Sequence, residues 1–431
     1  MSLSKTHLWF WIALTLLLAA CSREQPPGTP LASITSTPLP TAVPLPTGTP
    51  TPTGAQGTIT IWHAWDDPQI HTLAQIIADY YAIYPDVQFD VLYVPLDDLL
   101  QRYEDAARDG SGPTILLGPA SWGPALADVG LVSDLKSQVS QDLIKAMSSS
   151  AMGSVRYREA LVGLPYTQRG VVLYRNRKII SQSPATFEQL VSLAKTATHG
   201  AQIGAMLERS FFFSGAHLYG IGGALMDENG APSFNNDKGL AWIELLRAFE
   251  QAGPTEYNTD RDVELFKDGK VGLIIEGTWK MRELADAIGA ENLVIDPWPA
   301  YAGGHLSGFV QTENLYLNPR ASQESQAAAL KFIGFFLSEK IQAGLAEIGY
   351  LPALNVVQVT DPLVAQELTA LAGGVAYPTL PQIRAYNTPM DNALMSVFSA
   401  TTSPSDALEN AQEVIMAALT SVQITPTTIN P

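Results

Sequence analysis

The sequence is poor in cysteine and has no excess of positive charge. Cys21 is the only cysteine among 431 residues, so a disulfide framework and a cysteine-rich metal site are both excluded. Asp and Glu number 42 against 25 Lys and Arg, which gives a net charge of −17 at pH 7. Because this excess of negative charge repels phosphate backbones, we expect no nucleic-acid partner.

Catalytic and cofactor motifs are also missing. The histidines are scattered and never take the HExxH spacing of zinc enzymes, so we expect no metal site. The "GIGG" at 220–223 lacks the strand-to-helix setting and the downstream acid of a dinucleotide site. Neither a GxSxG elbow nor a phosphate-binding P-loop occurs. We therefore expect no cofactor and no enzyme activity.

The first 57 residues differ in composition from the rest. Residues 1–21 have Lys5, an apolar stretch and the exit "LAAC", which is typical of an export signal and resembles a bacterial lipobox. On that reading Cys21 is lipidated; the alternative is an ordinary secretory signal with an incidental cysteine. Residues 22–57 are rich in proline and threonine and show no apolar period, which predicts a disordered, extended stalk.

From residue 58 the pattern predicts an α/β fold. Strands are expected at 58–62, 87–94 and 114–117, with amphipathic helical segments between them, which is the rhythm of a parallel sheet. Further helices are expected at 184–197, 236–253 and 322–338, the last beginning near Ser322 or Asn318, and a final helix is expected after a Ser403 cap.

Five segments, in this order, carry a resemblance to a known family: "AARDGSGPTILLGPASWGPALADVGLVSDL", "GLPYTQRGVVLYRNRKIISQSPATFEQL", "VELFKDGKVGLIIEGTW", "NPRASQESQAAALKFIGFFLSEKIQAGLAEIGYLPAL" and "AYPTLPQIRAYNTPMDNALMSVFSATTSPSDALENAQEVI". Together they resemble the family 1 extracellular solute-binding proteins, the maltose-binding-like group. Each motif alone is common, but five in the right order are specific. The resemblance covers the chain from Gly57 to about Val422.

The resemblance implies a periplasmic-binding-protein type II fold, with two hinged lobes that each have a mostly parallel central sheet flanked by helices. It places ligand in the cleft between the lobes, and sugars are the commonest cargo of the group. The boundaries that we expect are 58–167 and 307–355 for lobe I, 168–306 and 356–425 for lobe II, and 426–431 for a tail.

Candidate ligand contacts lie on loops that follow predicted strands, because open parallel sheets bind ligands beyond the carboxyl ends of their strands. A sugar ring suits an aromatic platform with polar groups around its rim. Trp279 matches the family's "GpW" tryptophan and is the leading candidate, with Glu276 and Gly277 beside it. The other candidates are Trp65, Asp66, Ser121, Trp122, Arg169, Phe212, His305, Ser307 and Asn387.

Alternatives stay open for several of these residues. Trp279 could pack in a core, Asp66 could cap a helix, and Arg169 could pair with a neighbouring acid. Asn387 stands where some relatives have an aromatic residue, which suggests fewer stacked sugar units or a different ligand. Thr114 replaces the aspartate that the family usually has after "GP".

Three functions follow as hypotheses. The first is a lipid-anchored solute receptor of an ABC importer, monomeric, exported to the outer face of a bacterial membrane, that hands a mono- or oligosaccharide to permease subunits. The second is a surface sensor or adhesion module of the same fold. The third is a secreted glycoside hydrolase with Asp66 and Glu276 as its paired carboxylates.

Overall fold

The computed structural model describes residues 55–67 and 69–423, all within one compact unit. The predicted signal peptide with Cys21, the stalk up to residue 54 and the predicted tail lie outside the described residues. Ala55 is buried and the first strand begins at Gly57, so the folded part includes the last residues assigned to the stalk. Within the described residues, no helix has the length and apolar character that crossing a bilayer requires.

The described residues form fifteen strands. Their bounds are β1 Gly57–His63, β2 Val87–Tyr93, β3 Ile115–Pro119, β4 Arg156–Tyr157, β5 Ala160–Leu161, β6 Leu164–Asn176, β7 Ile203–Glu208, β8 Thr255–Glu256, β9 Val271–Gly277, β10 Leu293–Asp296, β11 Ala300–Tyr301, β12 Gly304–His305, β13 Phe309–Leu317, β14 Leu351–Pro352 and β15 Val375–Ala376.

Eleven of these strands belong to one mixed sheet, with the main order β2-β1-β3-β13-β6-β9-β7-β8. Pairing is parallel within β2-β1-β3 at one end and within β9-β7-β8 at the other. Pairing is antiparallel where β13 and β6 join these two ends. The two expected parallel sheets are therefore present, and the long strands β13 and β6 join them into one continuous hydrogen-bonded sheet.

Fifteen α-helices cover the sheet in the described part of the chain. Their bounds are α1 Gln69–Tyr81, α2 Leu96–Asp109, α3 Gly123–Asp128, α4 Gln141–Ala146, α5 Ser149–Gly153, α6 Phe187–Ala197, α7 Phe211–Gly220, α8 Asp237–Ala248, α9 Arg261–Lys267, α10 Met281–Ile288, α11 Gln323–Phe336, α12 Glu339–Glu347, α13 Pro362–Ala372, α14 Asn387–Phe398 and α15 Pro404–Gln423.

Local sequence explains where several helices begin. Ser322 accepts a hydrogen bond from the Ser325 N–H at the start of α11, which decides between the two predicted caps. Ser403 accepts one from Asp406 N–H at the start of α15, as predicted. The helix predicted from residue 184 begins only at Phe187, because Thr186 takes the cap position and accepts from the backbone.

Strands β3 and β9 are buried on both faces. In β9, Leu273 and Ile275 pack into one hydrophobic cluster and Ile274 into another. In β3, Leu117 and Leu116 alternate in the same way between two further clusters. Because helices cover both faces, β9 is buried along its whole length and apolar from Val271 to Ile275, as is typical of strands in α/β proteins.

Strands β6 and β13 join the two ends of the sheet. Residues Leu164 to Gly170 of β6 pair with β13, and Val171 to Arg175 pair with β9. In β13, Glu313 to Leu317 pair with β3. Strand β6 therefore changes its partner from β13 to β9 between Gly170 and Val171, in the middle of the sheet.

Candidate ligand-binding cavity

A cavity of about 480 Å³ lies where the carboxyl ends of β3 and β9 meet the two connecting strands. This volume falls within the roughly 300–1,000 Å³ of small-molecule sites. The lining includes, among others, Gln69, Pro119, Ser121, Arg169, Thr278, Trp279, Arg282, Gln311, Glu313, Tyr350, Glu367 and Tyr377.

Trp279 presents its ring to this cavity. It follows β9 in a single helical turn, Thr278–Lys280, and its side chain is 46% exposed. Phe212 lies 6.2 Å from the indole and 5.8 Å from the Tyr377 ring, measured between centroids. The three rings form an aromatic wall, and two of them line the cavity directly.

Gly277 makes the position of Trp279 possible. A Cβ atom at residue 277 would lie 2.1 Å from atoms of the indole ring, which is impossible without a shift of one or the other. The Gly277 carbonyl also accepts a hydrogen bond from the buried Tyr174 hydroxyl at 3.1 Å. Gly277 therefore supports the aromatic wall without lining the cavity.

Glu276 points away from the ligand space. It is 8% exposed, is not among the residues that line the cavity, and accepts the Gly277 N–H at 2.6 Å. Burial raises its pKa to about 7, and the nearby Glu208 adds to the rise. A carboxylate in this position does not suit the attack on a glycosidic bond that the hydrolase hypothesis requires.

In the loop after β1 the tryptophan is buried and the acid is exposed, the reverse of the arrangement at the end of β9. Trp65 is 4% exposed, and its indole N–H donates to the Tyr166 hydroxyl at 2.9 Å. Asp66 is exposed. The pKa of the cavity residue Tyr350 is raised mainly by burial, next by the charge of Glu313 and then by the charge of Asp66, so Asp66 lies close to Tyr350. Trp65 is thus a support behind the cavity, and Asp66 lies near its rim.

Of the two candidates in the loop after β3, Ser121 lines the cavity and Trp122 does not. Ser121 is exposed and lines the cavity. Trp122 is 8% exposed and packs over Gly118, where a Cβ would lie 2.2 Å from its ring. Because the indole occupies the space that glycine leaves, Trp122 is part of a core cluster.

Two further candidates, Arg169 and Asn387, lie at the cavity or beside it. Arg169 on β6 is exposed, lines the cavity and stands opposite Gln311 of β13. Asn387 accepts the hydroxyl of the cavity residue Tyr377 at 3.0 Å.

His305 and Ser307 lie elsewhere. His305 is exposed in the β11–β12 hairpin, and Ser307 is fully buried, with its N–H donated to His217 and its hydroxyl to Gly373. Neither of these two residues lines the cavity.

The charged groups of the lining nearly balance. Arg169 and Glu313 have opposite charges, and Arg282 lies 3.9 Å from Asp361 just outside the lining. Glu367 is 1% exposed, and burial raises its pKa to about 8, so it is mostly protonated at neutral pH. Among the described residues, no three His, Cys, Asp or Glu side chains come together as ligands of a metal ion. The cavity suits a polar ligand without net charge.

A family of bacterial extracellular solute-binding proteins matches this chain over residues 75–371, well over half of its length. The chain belongs to this family. The resemblance inferred from the five segments is confirmed, and the family is one of solute-binding proteins rather than of enzymes.

Curated relatives of this solute-binding protein carry names that specify sugars. A maltotriose-binding protein of Pyrococcus abyssi is 24% identical over 334 residues, covering 72% of this chain and 69% of the relative. A galactooligosaccharide-binding protein of Bacillus subtilis is 24% identical, covering 76% and 82%. A maltooligosaccharide ABC transporter solute-binding lipoprotein of Streptococcus pneumoniae is 23% identical, covering 72% and 78%.

Solved structures confirm the fold. An extracellular solute-binding protein of Staphylococcus aureus in complex with maltose aligns with a TM-score of 0.75 at 22% identity, covering 85% of this chain and 98% of that one. A cyclo/maltodextrin-binding protein complexed with maltotetraose aligns with a TM-score of 0.74 at 21% identity, covering 88% and 99%. The predicted two-lobed type II architecture of this solute-binding protein is confirmed.

Several cavity residues of this solute-binding protein were not predicted from its sequence. Gln311 and Glu313 alternate along β13, so they share one face of the strand, and this period was a usable signal. Tyr350 follows Gly349, whose φ of 92° marks a turn. The "LPA" that comes next is part of the family resemblance, but it does not indicate that Tyr350 faces the ligand. Tyr377 and Glu367 lie in the C-terminal segments and give no local signal, because only the tertiary fold brings them to the cavity.

Proposed function

We propose that this protein captures an uncharged oligosaccharide of the maltooligosaccharide class in its cavity and delivers it to an ABC-type permease. The observation that carries the proposal is the half-exposed Trp279 ring, held against Phe212 in a cavity that also contains polar and charged side chains. Sugar rings stack their C–H faces on indole and donate their hydroxyls to carboxylates and amides. The sugar names of the curated relatives support the ligand class.

We assign the lobes to residues 58–167 with 307–355 and to residues 168–306 with 356–425. The change of partner along β6, from β13 up to Gly170 to β9 from Val171 onward, supports a crossing within a few residues of 168. Ligand that contacts both lobes binds their closed arrangement more tightly than the open one, so it closes the cleft.

The same proposal includes an exported, monomeric lipoprotein that is anchored through Cys21 at the outer face of the membrane. The "LAAC" motif and the lipoprotein name of the pneumococcal relative support this assignment. Labelling with a radioactive or clickable palmitate in a host that expresses the full chain should mark the wild type and leave Cys21→Ala unmarked.

Isothermal titration of the wild-type protein with maltose, maltotriose and maltotetraose tests the ligand. We expect micromolar or tighter binding by the wild type. Trp279→Ala should bind roughly a hundredfold more weakly, because the ring surface that a stacked sugar covers contributes on the order of 2–3 kcal/mol. Tyr81→Ala is a matched control, since Tyr81 is 53% exposed and does not line the cavity. Wild-type protein that binds none of these sugars, while remaining folded, would refute the proposal.

A further inference from the structure

A buried line of hydrogen bonds ends on a carboxylate of the cavity. The Trp65 N–H donates to the Tyr166 hydroxyl at 2.9 Å, and that hydroxyl donates to Glu313 Oε2 at 2.5 Å. Trp65 is 4% and Tyr166 is 0% exposed, whereas Glu313 is half-buried and lines the cavity. The line therefore runs from a hydrophobic core to the ligand space.

The direction of each bond in this line is fixed by the groups involved. An indole N–H can only donate, so the Tyr166 oxygen accepts from Trp65 and has one proton left to give. That proton goes to Glu313, because a carboxylate is the natural acceptor and forms the stronger, charge-assisted bond. Glu313 Oε1 receives no hydrogen bond from residues 55–67 and 69–423, and it remains available to a donor in the cavity.

The backbone around Glu313 also restricts its side chain. Tyr166 lies on β6 and Glu313 on β13, the two strands that join the ends of the sheet. Their pairing shifts register between Glu313 and Asn314, and irregularities of this kind re-aim a side chain. Trp65 also packs against the cavity residue Tyr350, with 5.3 Å between ring centroids. One buried indole thus supports both a carboxylate and an aromatic ring of the lining.

We propose that Glu313 is a ligand-binding residue that accepts a sugar hydroxyl, and that Tyr166 and Trp65 are positioning residues that hold its carboxylate ready for that bond. The inference rests on the proposed sugar-binding function. A carboxylate fixed before binding loses less side-chain freedom when the ligand arrives, so more of the hydrogen-bond energy appears as affinity. The geometry favours ligands that present a hydroxyl donor at this point over analogues that lack it.

A purely structural tie between the two connecting strands would look similar in the absence of ligand. The two roles differ in Glu313→Gln, whose side-chain oxygen still accepts the Tyr166 proton but has no charge. A structural tie leaves this variant like the wild type in stability and in affinity. A positioned charged acceptor predicts unchanged stability together with weaker sugar binding.

The experiment measures maltotriose affinity by isothermal titration and thermal stability for the wild type, Glu313→Gln, Tyr166→Phe and the double variant. We expect each single change to weaken maltotriose roughly tenfold, since hydrogen bonds to charged groups are the stronger ones. In the Glu313→Gln background, Tyr166→Phe should weaken binding by less than about twofold, because it acts through Glu313. Trp65→Phe replaces the indole with a smaller aromatic ring that has no N–H, and it should weaken binding by about threefold.

The matched control is Tyr103→Phe. Tyr103 is also fully buried and donates its hydroxyl, to the Leu131 carbonyl at 2.6 Å, but it does not line the cavity. It should lose stability as Tyr166→Phe does and keep its affinity for maltotriose.

The outcomes separate this inference from the proposed function. If the wild type binds maltotriose and Glu313→Gln binds it equally well, the assignment of Glu313 is wrong while sugar binding stands. If the effects of Tyr166→Phe and Glu313→Gln add fully in the double variant, Tyr166 does not act through Glu313. A folded wild type that binds no sugar overturns the proposed function, and the role of Glu313 falls with it.

Discussion

The ends of β1 and β9 carry the same two kinds of residue in opposite arrangements. After β1, Trp65 is 4% exposed and the acid beside it, Asp66, is exposed. At the end of β9, Glu276 is 8% exposed and Trp279 is 46% exposed. One strand end turns its tryptophan inward and its acid outward, and the other does the reverse.

Partners distant in sequence decide between the two arrangements. The Trp65 N–H donates to the Tyr166 hydroxyl 101 residues away, and a buried indole is more stable when its N–H is hydrogen-bonded. Trp279 has no such partner among the residues that the structure describes, and the bare Gly277 backbone lets its ring lie across the strand end. Position after a strand therefore locates a loop near the ligand, but it does not decide which side chain of the loop faces that ligand.

The largest effect that we expect concerns the two tryptophans as parts of the fold. Trp65→Ala should lower the free energy of unfolding by about 3–5 kcal/mol, because it empties a buried aromatic site and leaves the Tyr166 hydroxyl without its donor. Trp279→Ala should lower it by less than about 1 kcal/mol, since the ring is half in solvent. Urea unfolding of both variants measures the difference, and equal losses would show that exposure does not separate their roles.

The sequence predicted the fold well because its signals are local. Apolar periods and caps such as Ser403 act over a few residues, and the five family segments lie in the right order. It placed Ser121, Arg169 and Trp279 where the cavity is. It did not point to Glu313 and Tyr350, which line the cavity. It did point to Trp65 and Trp122, which are buried behind the cavity. The reason is that the direction in which these side chains point depends on contacts between distant segments. That each lining residue contacts ligand stays a prediction.

A smaller effect concerns the pH dependence of stability, through Glu276 at the end of β9. Glu276 has its pKa raised to about 7 by burial, against a model-compound value of 4.5, so the folded chain holds this proton more tightly than the unfolded chain. The resulting stability is fully present below about pH 4.5 and is lost as the pH rises through about 7. Asp262 and Glu367, with pKa values raised to about 8 by burial, change in the same direction.

Glu276→Gln removes one of these groups and should flatten the pH dependence. At pH 8 the variant should exceed the wild type in unfolding free energy by on the order of 1–2 kcal/mol, and at pH 5 the two should nearly agree. Denaturant unfolding of the wild type and of the variant from pH 5 to pH 9 measures the difference, and a parallel offset in Glu276→Gln would contradict the assignment.

The smallest effect tests whether Gly277 alone gives Trp279 its place. Gly277 has φ −83° and ψ 152°, a conformation that alanine adopts freely, so Gly277→Ala introduces no backbone strain. Its Cβ would lie 2.1 Å from the indole, and the ring must therefore move away from the strand end.

We expect Gly277→Ala to bind maltotriose about tenfold more weakly, since a displaced ring loses part of its stacking, and to lose about 1 kcal/mol of stability. Gly334→Ala in α11 is the matched control, because a Cβ there meets nothing within 4 Å and alanine favours the helix. Its affinity should be that of the wild type and its stability slightly higher. If Gly277→Ala kept full affinity, the ring would have another support, and the contrast between the two strand ends would have to be explained by the aromatic contact with Phe212 alone.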